Sequence, residues 1–575
     1  VTVTDTDLLN RVTLDAPWSL VEDFAQMPRW KPDDVTAAGQ DIARRLGDLG
    51  VPVTLHQARL HLSIPYDARV EAGGRTFRAK PPAYSTDCRD GVTAELVHVP
   101  ATFSTSIDTL FTKNQDQDAS AEERIRGKIV ISEGFSFPGK IREFEEKGAV
   151  GVIAMNPGVD SHWGICTTIW GTPDLDDLPR RPTIPVGAVS NPDGQALLEI
   201  AAAGGQVTLF TEMDAGWFDQ PLPEVVIPGT EDPDSFVLLH GHYDSWDVGV
   251  GDNATGDAAL LEIARVLWEG RAGLKRTVKI AWWPGHSTGR YAGSTWYADT
   301  FAMDLDAHCV AQVNCDSPGC RWATEFIDVS WMAETEAFCQ DTIRRVTGQD
   351  SAGERPHRAG DYAFNNIGLS SFFMLSSTMP HDLREEKDYY VVGGCGGNIA
   401  WHTENDTLEI ADRDILLRDI KVYLAAVLGV ANAAVLPFDW RAQAAEFRQT
   451  IADYAAAAGD LAELSLAEDA AAALADALES FYRGVEAGTI RPDAANDAIR
   501  RLARILVPVN YTTEPRFRHD PAVPVPPLPA LAAARDLSRH GEDTLGFAQT
   551  QMLRGVNRVA AALREAERLV RGASA

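Results

Sequence analysis

Four residues of this chain have the types and spacing to share one cation. In LLHGHYDSWDVGVGDNATG, His242 and Asp244 stand two apart at the end of an apolar run, so in a strand their side chains leave the same face. Asp252 follows in a glycine-rich loop, just ahead of a helix that the pattern starts near Gly256, from where its carboxylate points back toward His242. An imidazole and a carboxylate converging in this way suit Zn²⁺ or a similar divalent ion, and Asp244 is placed to accept the other ring N–H of His242 and so fix its tautomer. Taken alone, His-x-Asp is a common tripeptide and reads as a polar strand end. It does not stand alone: Asp316 closes a second apolar run, VAQVNCD, and His402 lies in the loop AWHTENDT. Four candidate ligands at strand ends and loops of one region point to a metal centre.

The elements that must position them follow from the pattern. Residues 216–437 alternate short apolar runs (DSFVLLHG, TVKIAWWPG, CVAQVNCD, LSSFFMLS) with helical stretches such as GDAALLEIARVLWEG. That alternation predicts an α/β domain, a mostly parallel sheet with helices on both faces and its chemistry at the carboxyl ends of the strands. Residues 1–65 read as an N-terminal part of the same domain, helical and then extended. Residues 66–215, broken into short β-like runs by Gly, Pro and Asp, read as a β-rich domain, and 438–575, rich in alanine, as a helical domain.

The bulk numbers agree and exclude some partners. At 575 residues the chain exceeds one core, which stops growing near ~250–300 residues. Hydrophobic residues at 45% and charged residues at 23% are ordinary for a folded protein, so extended disorder is excluded. The formal charge of −31 repels phosphate backbones and anionic lipid, which argues against nucleic-acid and membrane partners. Seven cysteines, odd in number and without a tight framework, fit a reducing compartment. With no signal-like or spanning apolar run in the sequence as given, a cytoplasmic location is expected.

HYDSWDVGVGDNATG, RTVKIAWWPG…AGSTWYAD, NCDS and WHTENDT occur in the order and approximate spacing of the zinc aminopeptidase superfamily, which the chain resembles over nearly its whole length. GKIVISEG and EEKGAVGVIAMNPG look like a protease-associated domain, and the helical C-terminal region brings the resemblance to the glutamate carboxypeptidase II and transferrin receptor branch. The resemblance implies a bridging carboxylate at Asp252, ligands of one ion at His242 and Asp316, a ligand of the other at His402, and an orienting role for Asp244. It also implies a homodimer through the helical domain. One feature departs from the family: where it has two adjacent glutamates, a general base and a metal ligand, this chain reads WWPGHSTGRYAGS. Counting from the strand puts His286 at the base position and Ser287 at the ligand position; counting back from Ala292-Gly293-Ser294 puts Ser287 and Thr288 there. A neutral His286 suits general-base work near pH 7, or else a ligand role, or else a place in the scaffold. Trp401 stands where the carboxypeptidases have a tyrosine, and Asp361 and Tyr362 fall in a segment like the family's substrate loop.

Weaker candidates read as structure: Cys315 and Cys320 beside Asp316 as small core residues, and His381, Arg384 and Lys387 as a solvated charge run. The expected function is hydrolysis of a C–N bond in a small amide, short peptide or N-acyl amino acid by one or two zinc ions, with His286 and Asp244 as catalytic residues. The alternatives are a metal-dependent lyase and a non-catalytic interaction protein.

Overall fold

The computed structural model describes residues 5–112 and 121–574. Its centre is a set of strands without polar alternation: β8 (Asp232–His242), β9 (Arg276–Trp283) and β10 (Cys309–Asn314), buried along most or all of their length. Such runs fit parallel strands covered on both faces. β8 pairs in parallel with both β9 and β10, and β10 pairs in parallel with Ser371–Phe372. The connection from β8 to β9 passes through the helix Thr255–Gly270, apolar nearly all round and correspondingly buried.

The sheet continues well beyond this domain. β1 (Thr54–Ala72) and β7 (Gln206–Ile227) pair antiparallel from Thr54 opposite Glu224 to Glu71 opposite Thr208, with a register shift between Pro65 and Asp67. β1 also carries the short β2 (Arg75–Ala79) at its far end. The other edge of β7 meets β9 near its end and β3 (Cys88–His98) near its start. From β3 the order runs in parallel through β4 (Ile129–Glu133), β5 (Gly151–Met155) and β6 (Val186–Val189). The result is one eleven-stranded sheet, mostly parallel in its pairings as expected, whose two parallel parts are joined through the antiparallel β1 and β7, long enough to serve both halves.

The last helices (Trp440–Ala458, Ser465–Glu486, Pro492–Tyr511 and Leu545–Ser574) bury their apolar faces in the same core as the central layer. Between the last two, the chain returns to the strand ends, where Ala522 N–H donates to the Thr168 carbonyl at 2.8 Å. All seven cysteines are free thiols. Among the described residues, no helix is long and apolar enough to cross a membrane.

Glu334 joins this helical layer to the sheet. Its carbonyl accepts from Asp439 N–H at 2.8 Å and Oε1 accepts from Ser370 Oγ at 2.7 Å, while the buried Oε2 has no hydrogen-bond partner. Burial pushes its carboxyl up to about 7. A carboxyl raised on folding favours the native state at low pH, and that contribution is lost as pH rises through the raised value. Glu334→Gln is therefore expected to flatten the decline in stability between about pH 4.5 and 7. Urea midpoints measured across that range check this, and parallel profiles for the two proteins would refute it.

Candidate metal centre

His242 is the last residue of β8, and its ring is fixed from behind: Nδ1 lies 2.8 Å from the Asp244 carbonyl oxygen. Nε2 is thereby turned into the site, where Asp252 Oδ1 lies at 3.1 Å and Asp316 Oδ2 at 3.5 Å. The other oxygen of Asp252 lies 3.1 Å from His402 Nε2. One buried carboxylate thus spans two imidazoles, and all four expected ligands converge.

The residues holding these four are less visible in sequence. Asp406 accepts from Gly251 N–H at 2.7 Å and Asp252 N–H at 3.0 Å, which fixes the loop carrying the shared carboxylate. Asn253 joins two strand ends: its amide donates to the carbonyls of His242 and Cys315, and its oxygen accepts from Ser317 N–H. His402 is set by the β-rich region, with Nδ1 3.0 Å from the Trp163 carbonyl and its own carbonyl accepting from Trp163 N–H at 2.8 Å. It adopts φ 58°, a left-handed backbone that these reciprocal bonds and the Trp401 ring stacked on it at 3.7 Å hold in place.

Asp244 corrects one expectation. Its carbonyl, not its carboxylate, orients His242; the carboxylate accepts from the backbone N–H groups of His286 and Ser287, both at 2.9 Å. The side chain leaves the strand end toward the turn after β9, where Gly285 at φ 71° aims those two amides at it. Asp244 therefore shapes the loop that carries His286. In that loop, the count made directly from the strand is the one that brings a side chain to the centre: His286 lies parallel to His242, with ring centroids 3.6 Å apart, and a ligand atom of each of His242, His286 and Asp316 falls within 4.8 Å of the others. His286 Nδ1 lies 2.8 Å from Asp361 Oδ2, and Asp361 Oδ1 accepts from Ser294 Oγ at 2.7 Å. Asp361 was legible only as part of a loop; its partner lies 75 residues away.

The electrostatics match a cation site. Burial alone would depress the His242 imidazole, but the Asp316 and Asp252 carboxylates beside it hold its pKa well above the usual range. Burial would raise Asp252, yet His242 and His402 hold it well below. His242 Nε2 and Asp252 Oδ1 are both buried without a hydrogen-bond partner, although only 3.1 Å apart. An imidazole nitrogen and a carboxylate oxygen buried side by side without a hydrogen bond fit a divalent cation with oxygen and nitrogen ligands, of which zinc is the common case.

The centre opens into a cleft walled by Phe135, Phe137 and Trp163 from the β-rich region, by Trp401, and by Ala522 and Val523 from the returning C-terminal segment. Lys140, Arg290 and Arg358 also line it. His381, Arg384 and Lys387 do not; His381 pairs with Asp328, and Lys387 lies over the Trp322 ring. Cys315 and Cys320 are buried core thiols, as expected.

Residues 225–427 match the sequence model of Peptidase family M28, and residues 92–197 that of the PA domain. A probable glutamate carboxypeptidase VP8 of Zea mays is 26% identical over 39% of this chain and 32% of its own. A leucine aminopeptidase 2 of Arthroderma otae is 29% identical over 44% and 47%, and a carboxypeptidase Q of Rattus norvegicus 26% over 36% and 43%. The chain spans less than two thirds of the length of each of these relatives. Among solved structures, an aminopeptidase from Aneurinibacillus sp. strain AM-1 superposes with a TM-score of 0.54 at 18% identity, over 74% of this chain and 95% of that one. A Peptidase M28 precursor from Shewanella amazonensis gives 0.56 at 18%, over 75% and 97%. The fold is shared.

Because Asp406 holds the backbone of Asp252 through its two amide contacts, Asp406→Ala is expected to weaken any zinc binding by about 10–100-fold, the usual cost of losing an outer support. Competition against a chromophoric chelator measures it, and an unchanged affinity would count against the assignment.

Proposed function

Starting from a chain that carries a Peptidase family M28 domain and a PA domain, we propose that this protein is a metal-dependent hydrolase of a C–N bond in a small amide, short peptide or N-acyl amino acid. The observation that carries the proposal is the convergence of His242, Asp252, Asp316 and His402 at the strand ends, opening into a cleft. A divalent cation held there would polarise a substrate carbonyl and acidify adjacent water.

The rest is done by the chain. The cleft is enclosed by the β-rich region, the strand-end loops and the returning C-terminal segment, which suits short substrates. Its aromatic walls at Phe135, Phe137 and Trp401 exclude water from the carbonyl and accept apolar groups. Trp401 lacks a hydroxyl to hold the carbonyl oxygen, so orientation falls to the ion and to the cationic side chains lining the cleft.

Asp244 is bound to two backbone amides, and Glu404 pairs with Lys80 at 2.6 Å and Arg78 at 3.1 Å, so neither is free to take the proton. If no other group serves as base, hydrolysis forgoes a contribution of typically ~10²–10⁴-fold and turnover is slow.

The test is a panel of dipeptides and N-acyl amino acids incubated with zinc-loaded protein in heavy-oxygen water. The expected result is free amine with the heavy oxygen in the new carboxylate, abolished by a chelator and restored by zinc. Product without the heavy oxygen would favour a lyase. A protein that neither binds metal nor turns over any member of the panel would refute the proposal and leave a binding role.

A further inference from the structure

We infer that this centre is built for a single divalent cation held by His242, His286 and Asp316 with Asp252 beside them, and that Asp361 is the positioning residue that makes His286 a ligand. The inference rests on the metal-dependent reading above and departs from the two-ion arrangement that the family resemblance implies.

The first argument is the aim of the His286 ring. Nδ1 lies 2.8 Å from Asp361 Oδ2. Asp361 is fully buried, and Ser294 Oγ donates to its other oxygen. With Ser294 Oγ donating to one oxygen of Asp361, the other oxygen faces the ring nitrogen as an acceptor. A ring nitrogen facing a carboxylate oxygen carries its hydrogen, so the nitrogen turned to a metal is Nε2. A carboxylate behind an imidazole is the usual way of fixing the tautomer of a metal-binding histidine. His242 is arranged likewise, with a carbonyl behind Nδ1. The two rings are parallel to within 14°, and their ligand atoms lie within 4.8 Å of each other and of Asp316.

The second argument is that this placement is enforced. The backbone of residues 286 and 287 is tied to Asp244, and the edge of Tyr291 packs against the His286 ring at 4.8 Å. The Tyr291 hydroxyl accepts from Gly360 N–H, next to Asp361, so ring and carboxylate are held by one linked set of contacts.

The third argument is the poverty of the other side. His402 turns Nε2 to the shared Asp252 at 3.1 Å, and among the described residues no other carboxylate is paired with it. The residue after His286 is Ser287 in place of a carboxylate, Glu404 is paired with Lys80, and Asp406 is turned to backbone amides. Two protein ligands fall short of the three that catalytic zinc sites use. Charge agrees: Asp252 and Asp316, the carboxylates facing the centre, balance one divalent ion, and a second would add two uncompensated charges to a buried site.

The test is zinc titration of metal-free full-length protein, with bound metal counted by elemental analysis and affinity measured by chelator competition. The wild type is expected to bind one ion per chain. His286→Ala is expected to lose tight binding, and Asp361→Asn to keep the stoichiometry at about 10–100-fold weaker affinity. His402→Ala is expected to retain one ion, whereas a two-ion centre would lose one of two. The Co²⁺ absorption spectrum gives a second readout: His286→Ala should change it and His402→Ala should not. Should His286→Ala fail to fold, Asp361→Asn, which preserves shape, carries the test. Two ions in the wild type, or one ion at full affinity in His286→Ala, overturns this inference alone and leaves the hydrolase reading standing. A wild type that binds no divalent ion overturns both.

Discussion

The site depends on one buried carboxylate placed between two imidazoles. Asp252 lies 3.1 Å from the ε nitrogens of His242 and His402, which reach it from distant parts of the sequence. A buried carboxylate is costly unless paired, and a pair of buried histidines is costly unless something negative faces them. Each makes the others tolerable. The surrounding polar contacts serve this arrangement: Asp406 and Asn253 fix the loop, the Asp244 carbonyl turns His242, and the Trp163 carbonyl turns His402.

The Trp163 contact gives the β-rich region a role beyond walling the cleft. Its indole donates to Asp247 at 2.9 Å and stacks on Trp246 at 5.4 Å, so the backbone that orients His402 is anchored to the loop after β8, four residues beyond His242. β1 and β7 make the anchorage stiff, since the sheet carrying Trp163's region and the sheet carrying His242 are one continuous object. A hinged accessory domain would leave the ring free to turn. Here the tautomer of a candidate ligand is fixed across that continuous sheet.

What the sequence made legible follows from the range of the interactions. His242, Asp252 and Asp316 were readable because each ends or follows an apolar run, and strand ends on one side of a parallel sheet must meet. The order of the half-sheets was hidden, because β1 and β7 read as ordinary extended stretches and their pairing spans some 150 residues. Asp244 was misassigned for a local reason: side-chain parity predicts its carboxylate beside His242, yet the turn at Gly285 offers two amides, and a carboxylate goes to the donors. Asp361 was legible only as part of a loop and Trp163 gave no signal, since their partners are set by packing and not by spacing.

A single-ion centre turns on the loop after β9, where His286 and Ser287 stand in place of the two glutamates that the resemblance implies. A neutral imidazole there would return less charge to a bound ion than a carboxylate does and leave it the stronger electrophile. His286 was not simply left pointing into a void. Asp361 faces its Nδ1, Ser294 donates to that carboxylate, and the Tyr291 ring packs against the imidazole. A histidine that merely filled the space of lost glutamates would have no need of a buried carboxylate behind its Nδ1, and burying Asp361 there is worthwhile only if the direction of Nε2 matters.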